Sequence, residues 1–212
     1  MSSEKSHTRP YRLKRRAVQQ EQTRQRIVEA AVELHTTLGP AQTSVQAIAD
    51  RAGVTRPTVY AHFSDTRSLL MACSGHVAAA DPPPDASAWV DITDPAERMA
   101  AALSAVYAYY GRHEQLLDNV QRDVAIMPEL AEISKYRSRY LRTAQDALLQ
   151  GWPARGAARS RLRRAIGHAL EFRTWQSLVR RQGCSVREAV ALMTALAEAA
   201  SSGRPPATPP QN

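Results

Sequence analysis

A chain of 212 residues, 43% hydrophobic and 23% charged, is long enough to bury a core as one large domain or two small ones. Its formal net charge of +8 and pI near 10.0 favour a polyanionic partner. No apolar run approaches the ~18 residues of a membrane span and no apolar leader opens the chain. Cys73 and Cys184 alone make neither a disulfide scaffold nor a zinc site, so a cytoplasmic protein without membrane contact is expected.

The basic charge is concentrated at the start. Residues 1–26 hold eight Lys/Arg against two Asp/Glu, among them Arg9, Arg12, Lys14, Arg15 and Arg16. With Pro10 interrupting, residues 1–20 read as a flexible basic arm. Such an arm either lies along phosphates or in the minor groove, or is a solvated tail. Residues 21–38 predict a first helix, with Ile27, Ala30, Ala31, Leu34 and Leu38 on one face and Gly39-Pro40 as its stop. His35 reads as a packing residue of this helix.

Thr43–Phe63 is the most informative stretch. Thr43 or Ser44 caps a short helix whose apolar face is Val45, Ile48, Ala49 and Ala52. Gly53 supplies a left-handed turn and Val54 plugs it. Thr55 caps a second helix of about two turns, with Pro57 in its first turn. Val59 and Phe63 point inward at i and i+4, leaving Arg56, Thr58, Tyr60 and His62 outside. Such a helix is too short to stand alone. Polar outside and pinned inside, it has the pattern of a helix-turn-helix reader, in which Arg bonds guanine, Thr touches a thymine methyl, and Tyr and His donate to phosphate.

The segment Gly53-Val54-Thr55-Arg56-Pro57-Thr58-Val59-Tyr60-Ala61-His62-Phe63 closely resembles the recognition-helix signature of TetR-like transcriptional regulators. Arg26–Ala31, Gly39, Ile48-Ala49 and Leu69-Leu70 extend the resemblance over residues 24–72, about a quarter of the chain. It implies an all-α protein: an N-terminal three-helix helix-turn-helix DNA-binding domain followed by a helical ligand-binding and dimerisation domain. It further implies a homodimer on a pseudo-palindromic double-stranded operator, released by a small-molecule effector. Carried over position by position, Gln46, Arg56, Pro57 and Thr58 are base-side candidates. Thr43, Thr55, Tyr60, His62, Thr66 and Arg67 are the further DNA-side candidates. The family commonly has a lysine near the start of the fourth helix, where this chain has Thr66 and Arg67. It usually has aromatics where His35 and Pro40 stand.

Ser64-Asp65 caps a fourth helix over residues 66–80, with Leu69, Leu70, Cys73 and Val77 as its apolar face. The DNA-binding domain is thus placed at residues 21–80. Pro82-Pro83-Pro84 stops any helix and makes residues 81–94 a Pro-rich linker or covering loop. Residues 95–200 read as a helical regulatory and dimerisation domain. Helices are predicted at 95–111, 114–124, 129–150, 157–181 and 186–200, the last opened by a Ser185/Glu188 capping box. In the 114–124 helix, Leu116, Leu117 and Val120 are read as inward. Residues 201–212 read as a disordered tail.

Leu170, Phe172, Trp175, Leu178 and Val179 spread around a single helix, which implies burial of the last two helices against a second subunit. Tyr107, Tyr110, Asn119, Met127, His168, Phe172 and Trp175 are the candidates for lining an apolar effector pocket. His168 and Trp175, seven apart, would share one face. Each is read as core packing at least as readily.

No Gly-rich phosphate loop, G-x-S-x-G or H-E-x-x-H is present, and the six histidines are scattered. No catalytic residue, metal or cofactor is therefore expected. The reading is a ligand-responsive DNA-binding transcriptional regulator, most readily a repressor. The alternative is a helical dimeric DNA-binding or protein-interaction module without small-molecule control.

Overall fold

The computed structural model describes residues 8–202, and side chains from residue 14 onward. The expectations for residues 1–7 and 203–212 fall outside the described residues. Those described form ten α-helices and short 3-10 turns, with no strand among them, as the all-α reading requires. They divide into two compact units, residues 1–82 with 118–133, and residues 83–117 with 134–212.

The first unit is built on α1 (Thr8–Thr37), α2 (Val45–Ala52), α3 (Arg56–His62) and α4 (Thr66–Ala80). The three short helices start on side-chain caps. Ser44 accepts from the Ala47 N–H, Thr55 from the Thr58 N–H, and Asp65 with Ser68 forms a reciprocal capping box. Of the two candidates for the α2 cap, it is therefore Ser44 that serves. Gly53 closes α2 at φ 65°, its N–H reaching the Ala49 and Asp50 carbonyls. Ile27, Ala31, Ile48, Ala49, Val59, Phe63, Leu69 and Cys73 meet in one core. Full burial of each larger side chain stabilises by roughly 1.5–3 kcal/mol.

Two expectations are corrected in this unit. Residues 8–20 are the first turns of α1, not a flexible arm. Extending a packed helix avoids the nucleation cost, and Arg, Lys, Leu, Gln and Glu are good helix formers. Second, residues 118–133 pack with the N-terminal unit although they lie within the stretch expected as one domain at 95–200. They comprise the end of α6 (Glu114–Asp123), a 3-10 turn (Pro128–Leu130) packed on α4, and the start of α7 (Ala131–Leu148). Leu130 is fully buried there. In α6, Leu116, Leu117 and Val120 are half-buried, Leu117 against the second unit's core, and Asn119 and Asp123 are buried.

The second unit holds α5 (Pro95–Arg112), most of α7, α8 (Gly156–Ala169), α9 (Phe172–Gln176) and α10 (Val186–Ser201). The Asp94 carboxylate caps α5 by accepting from the Ala96 and Glu97 N–H groups at 2.9 and 2.8 Å. The segment expected as a linker is in part core, because Ala86 and Trp89 are buried in a 3-10 turn. Buried Arg98 fastens the stretch between that turn and α5, donating to the Ile92 carbonyl at 2.6 and 2.9 Å and to the Gln150 carbonyl at 2.8 Å.

The predicted helix 157–181 is broken. Glu171 is extended (φ −73°, ψ 136°), α9 restarts at Phe172, and Ser177–Arg181 form a π-helical turn. The break turns Leu170, Phe172, Trp175 and Leu178 all into this unit's own core. Their spread therefore needs no second subunit, which corrects that argument for dimerisation. The carbonyls freed at the break are satisfied by Tyr107, donating to Ala169 at 2.8 Å, and Tyr110, donating to Leu170 at 2.6 Å.

Candidate nucleic-acid interface

α3 is held from beneath by Val59 and by Phe63, the residue that ends it, both buried. Its outer side carries Arg56, Pro57 and Tyr60, all exposed, with Thr58 and His62 half-buried. The Arg56 guanidinium lies 5.6 Å from the Tyr60 ring centroid and donates to the Tyr60 hydroxyl at 3.2 Å. That contact positions the fork against Tyr60, with no carboxylate paired to it among the described residues. Thr55 and Thr58 share a hydroxyl contact of 2.8 Å at the start of the helix. On α2, exposed Gln46 donates to Asp50 at 2.8 Å. Thr43, half-buried, donates to the Gly39 carbonyl at 2.7 Å. At the start of α4, Thr66 and Arg67 are exposed, and Arg67 stands 3.4 Å from Glu132. All ten DNA-side candidates thus lie in one unit, on α2, α3, the start of α4 and their turns.

A polar clamp behind α2, invisible in the sequence, fixes the turn between α1 and α2. The Asn119 amide donates to the His35 and Thr36 carbonyls at 3.2 and 2.7 Å, capping the end of α1. Arg122 donates to the Leu38 carbonyl at 3.0 Å, and the Asp123 carboxylate accepts from the Ala41 N–H at 2.9 Å. Burial pushes the Asp123 carboxyl upward. The Arg122 and Ala41 hydrogen bonds and the Arg122 and His35 charges outweigh it and leave the pKa below the usual carboxylate range. His35, buried beside it, is lowered to about 4 by desolvation, with the Asp123 charge pulling it back only in part. Gly39, at φ 98°, is the residue that lets this clamp close, since a Cβ there would fall on Arg122 Nη2 and Asp123 Oδ2.

A family profile described as bacterial regulatory proteins, tetR family, matches residues 27–73, the span that holds α2, α3 and their turns. The HTH-type transcriptional regulator SrpR of Pseudomonas putida is 43% identical over 56 residues, 26% of each chain. The uncharacterized HTH-type transcriptional regulator Mb2274c of Mycobacterium bovis is 33% identical over 133 residues, 61% of this chain and 62% of that one. The matched stretches thus span between a quarter and three-fifths of these curated relatives. A TetR-like regulator from Rhodococcus sp. RHA1 superposes over 86% of this chain and 97% of its own, with TM-score 0.62 and 21% identity. Residues 27–73 match the tetR family, and the chain shares the fold of a TetR-like regulator. FadR of Bacillus subtilis, solved in complex with stearoyl-CoA, shares the fold at TM-score 0.57 and 20% identity, over 85% of this chain and 98% of its own.

The seven effector candidates do not form one group. Tyr107, Tyr110, Phe172 and Trp175 come together in the second unit. The Phe172 and Tyr110 rings meet edge-on at 5.4 Å, and Trp175 lies 5.5 Å from Phe172 and 6.1 Å from Tyr110. Burial raises the pKa of both tyrosines, so they remain neutral donors. Asn119 and Met127 belong to the first unit, and the Asn119 amide is committed to α1. His168 is exposed, and the break at Glu171 removes the shared helical face on which it was paired with Trp175. Sequence reasoning missed Tyr140, whose buried hydroxyl, like the Trp175 indole N–H, finds no hydrogen-bond partner among the described residues. Among the described residues no cluster of metal-binding type occurs, and no helix is long and apolar enough to cross a membrane.

Proposed function

We propose that the protein is a dimeric, sequence-specific DNA-binding transcriptional regulator that represses its target and releases its operator on binding a small molecule. The observation that carries the DNA reading is α3, a two-turn helix pinned by Val59 and Phe63 that presents Arg56 and Tyr60 outward. Gln46, Arg56, Pro57 and Thr58 face base edges. Thr43, Thr55, Tyr60, His62, Thr66 and Arg67 serve the backbone side. Dimerisation through α8 and α10 is supported by the exposed apolar side chains Leu192 and Leu196 on α10. A two-fold dimer presents two such readers to a pseudo-palindrome. Control by a ligand is supported by the aromatic group around Trp175, by its unpartnered buried N–H, and by stearoyl-CoA in FadR, which shares the fold. The effector acts by favouring an arrangement in which the two readers no longer match the groove.

Selection of bound sequences from random DNA with the purified protein tests this. A pseudo-palindrome with two equal half-sites is expected, and no enrichment would sink the reading. Arg56→Ala should then cost ~1–3 kcal/mol and relax one position per half-site. An equal loss on random DNA would remove Arg56 as a base reader. One observation favours a DNA-binding module without small-molecule control: the Tyr107 and Tyr110 hydroxyls are both spent on backbone carbonyls. A screen of apolar compounds against the operator complex separates the two, because only the first reading predicts ligand-dependent release.

A further inference from the structure

α1 is 30 residues long, but it begins to pack only at Thr23. Every residue from 14 to 22 is exposed. At 1.5 Å per residue, positions 8–22 make a rod of about 22 Å beyond the packed part of the helix. This stretch carries five Lys/Arg against the single Glu21. Its root lies beside the reader. The Arg24 guanidinium sits 5.0 Å over the ring of Phe63, the residue that ends α3. On another side, Gln25 stands 3.2 Å from His76 of α4.

We infer that residues 8–22 are a rigid helical rod that binds DNA phosphates beside the helix-turn-helix and adds affinity without reading sequence. The inference rests on the DNA-binding reading and deepens it. The charge calls for a polyanion. The rod offers an apolar groove little beside its five cations: Val18, 49% exposed, is the one large hydrophobic side chain among residues 14–22, and the sequence of residues 8–13 adds Tyr11 and Leu13. The helical form decides which part of DNA it meets. A helix with side chains is ~10–12 Å across, whereas the minor groove is ~6 Å wide. An extended basic arm enters that groove, whereas a helix stays outside it; with α3 occupying the major groove in the proposed reading, the rod beside it meets the phosphates. Phosphate contacts position a protein and carry no direct base information.

The test uses the full chain with Lys14→Gln, Arg15→Gln and Arg16→Gln combined, on exposed positions where folding is unaffected; thermal melts check this. Affinity is measured across a salt series for the selected operator and for a random duplex. Loss of three phosphate contacts should lower the log–log salt slope by about 2.7 per subunit. Both DNAs should weaken by the same factor, leaving their ratio unchanged. An unchanged slope overturns the inference, as does a fall in the operator-to-random ratio, which would mean base reading. Val18→Pro, which keeps every cation but breaks the rod, tests its helical form. It should reproduce the slope loss, and a wild-type slope would overturn the rod. Wild-type protein that prefers no sequence, yet loses slope in the triple variant, would retire the sequence-reading proposal and uphold this one.

Discussion

His35 and Gly39 show what single residues contribute behind the reader. The unfolded chain protonates His35 near the ordinary 6.5, the folded chain only near 4. Between those values the unfolded state binds more protons, so stability falls as pH falls from 6.5 to 4. This one group accounts for about 3 kcal/mol of that fall. The lowered Asp123 carboxyl adds a further loss at still lower pH, once it protonates. Urea unfolding at neutral and acidic pH should therefore show a steeper acid loss for the wild type than for His35→Phe. Equal pH profiles would mean that His35 is not buried neutral. Gly39→Ala should cost at least about 2 kcal/mol, because φ 98° is strained for any side chain and the new Cβ displaces the Arg122–Asp123 pair. Gly183→Ala, also at positive φ (74°) but facing open space, should cost only about 1 kcal/mol. Comparing the two urea midpoints separates backbone strain from the clamp.

At the scale of elements, local chemistry accounts for the first unit and long-range chemistry for the second. The α2–α3 corner follows from Ser44, Gly53, Thr55 and Pro57, four signals within fourteen residues, and each acts on its own neighbours. The break between α8 and α9 has no such local signal. Arg, Ala, Leu and Glu around it are good helix formers, so the sequence reads straight through. At the break Tyr107 and Tyr110, some 60 residues away, donate to the Ala169 and Leu170 carbonyls and so satisfy the groups it frees. Tyr110→Phe should leave the Leu170 carbonyl without its donor and destabilise by ~1–3 kcal/mol. Calorimetry of the variant checks this, and an unchanged melting temperature would show that the break does not depend on the hydroxyl.

For the whole molecule the open question is the surface of α10. Leu192 and Leu196 are 51% and 40% exposed, so their substitution disturbs no core within the chain. If this face is the dimer seam, Leu192→Glu with Leu196→Glu should give a folded monomer by analytical ultracentrifugation. Operator affinity should then drop sharply, because one reader alone must hold a half-site. A dimer that survives both changes would place the seam elsewhere.

The sequence by itself determined the all-α class, the caps and turn of the helix-turn-helix, and the set of side chains around α3. These follow from propensity, capping and periodicity over spans shorter than a dozen residues. Only the tertiary structure decided that residues 8–20 belong to α1, that residues 118–133 join the N-terminal unit, and that Asn119 serves α1. Only it showed that Phe172 and Trp175 share a core with Tyr110. Each of these is fixed by partners more than forty residues distant or, for the start of α1, by propagation from a packed helix. Neither leaves a periodic trace in the residues concerned.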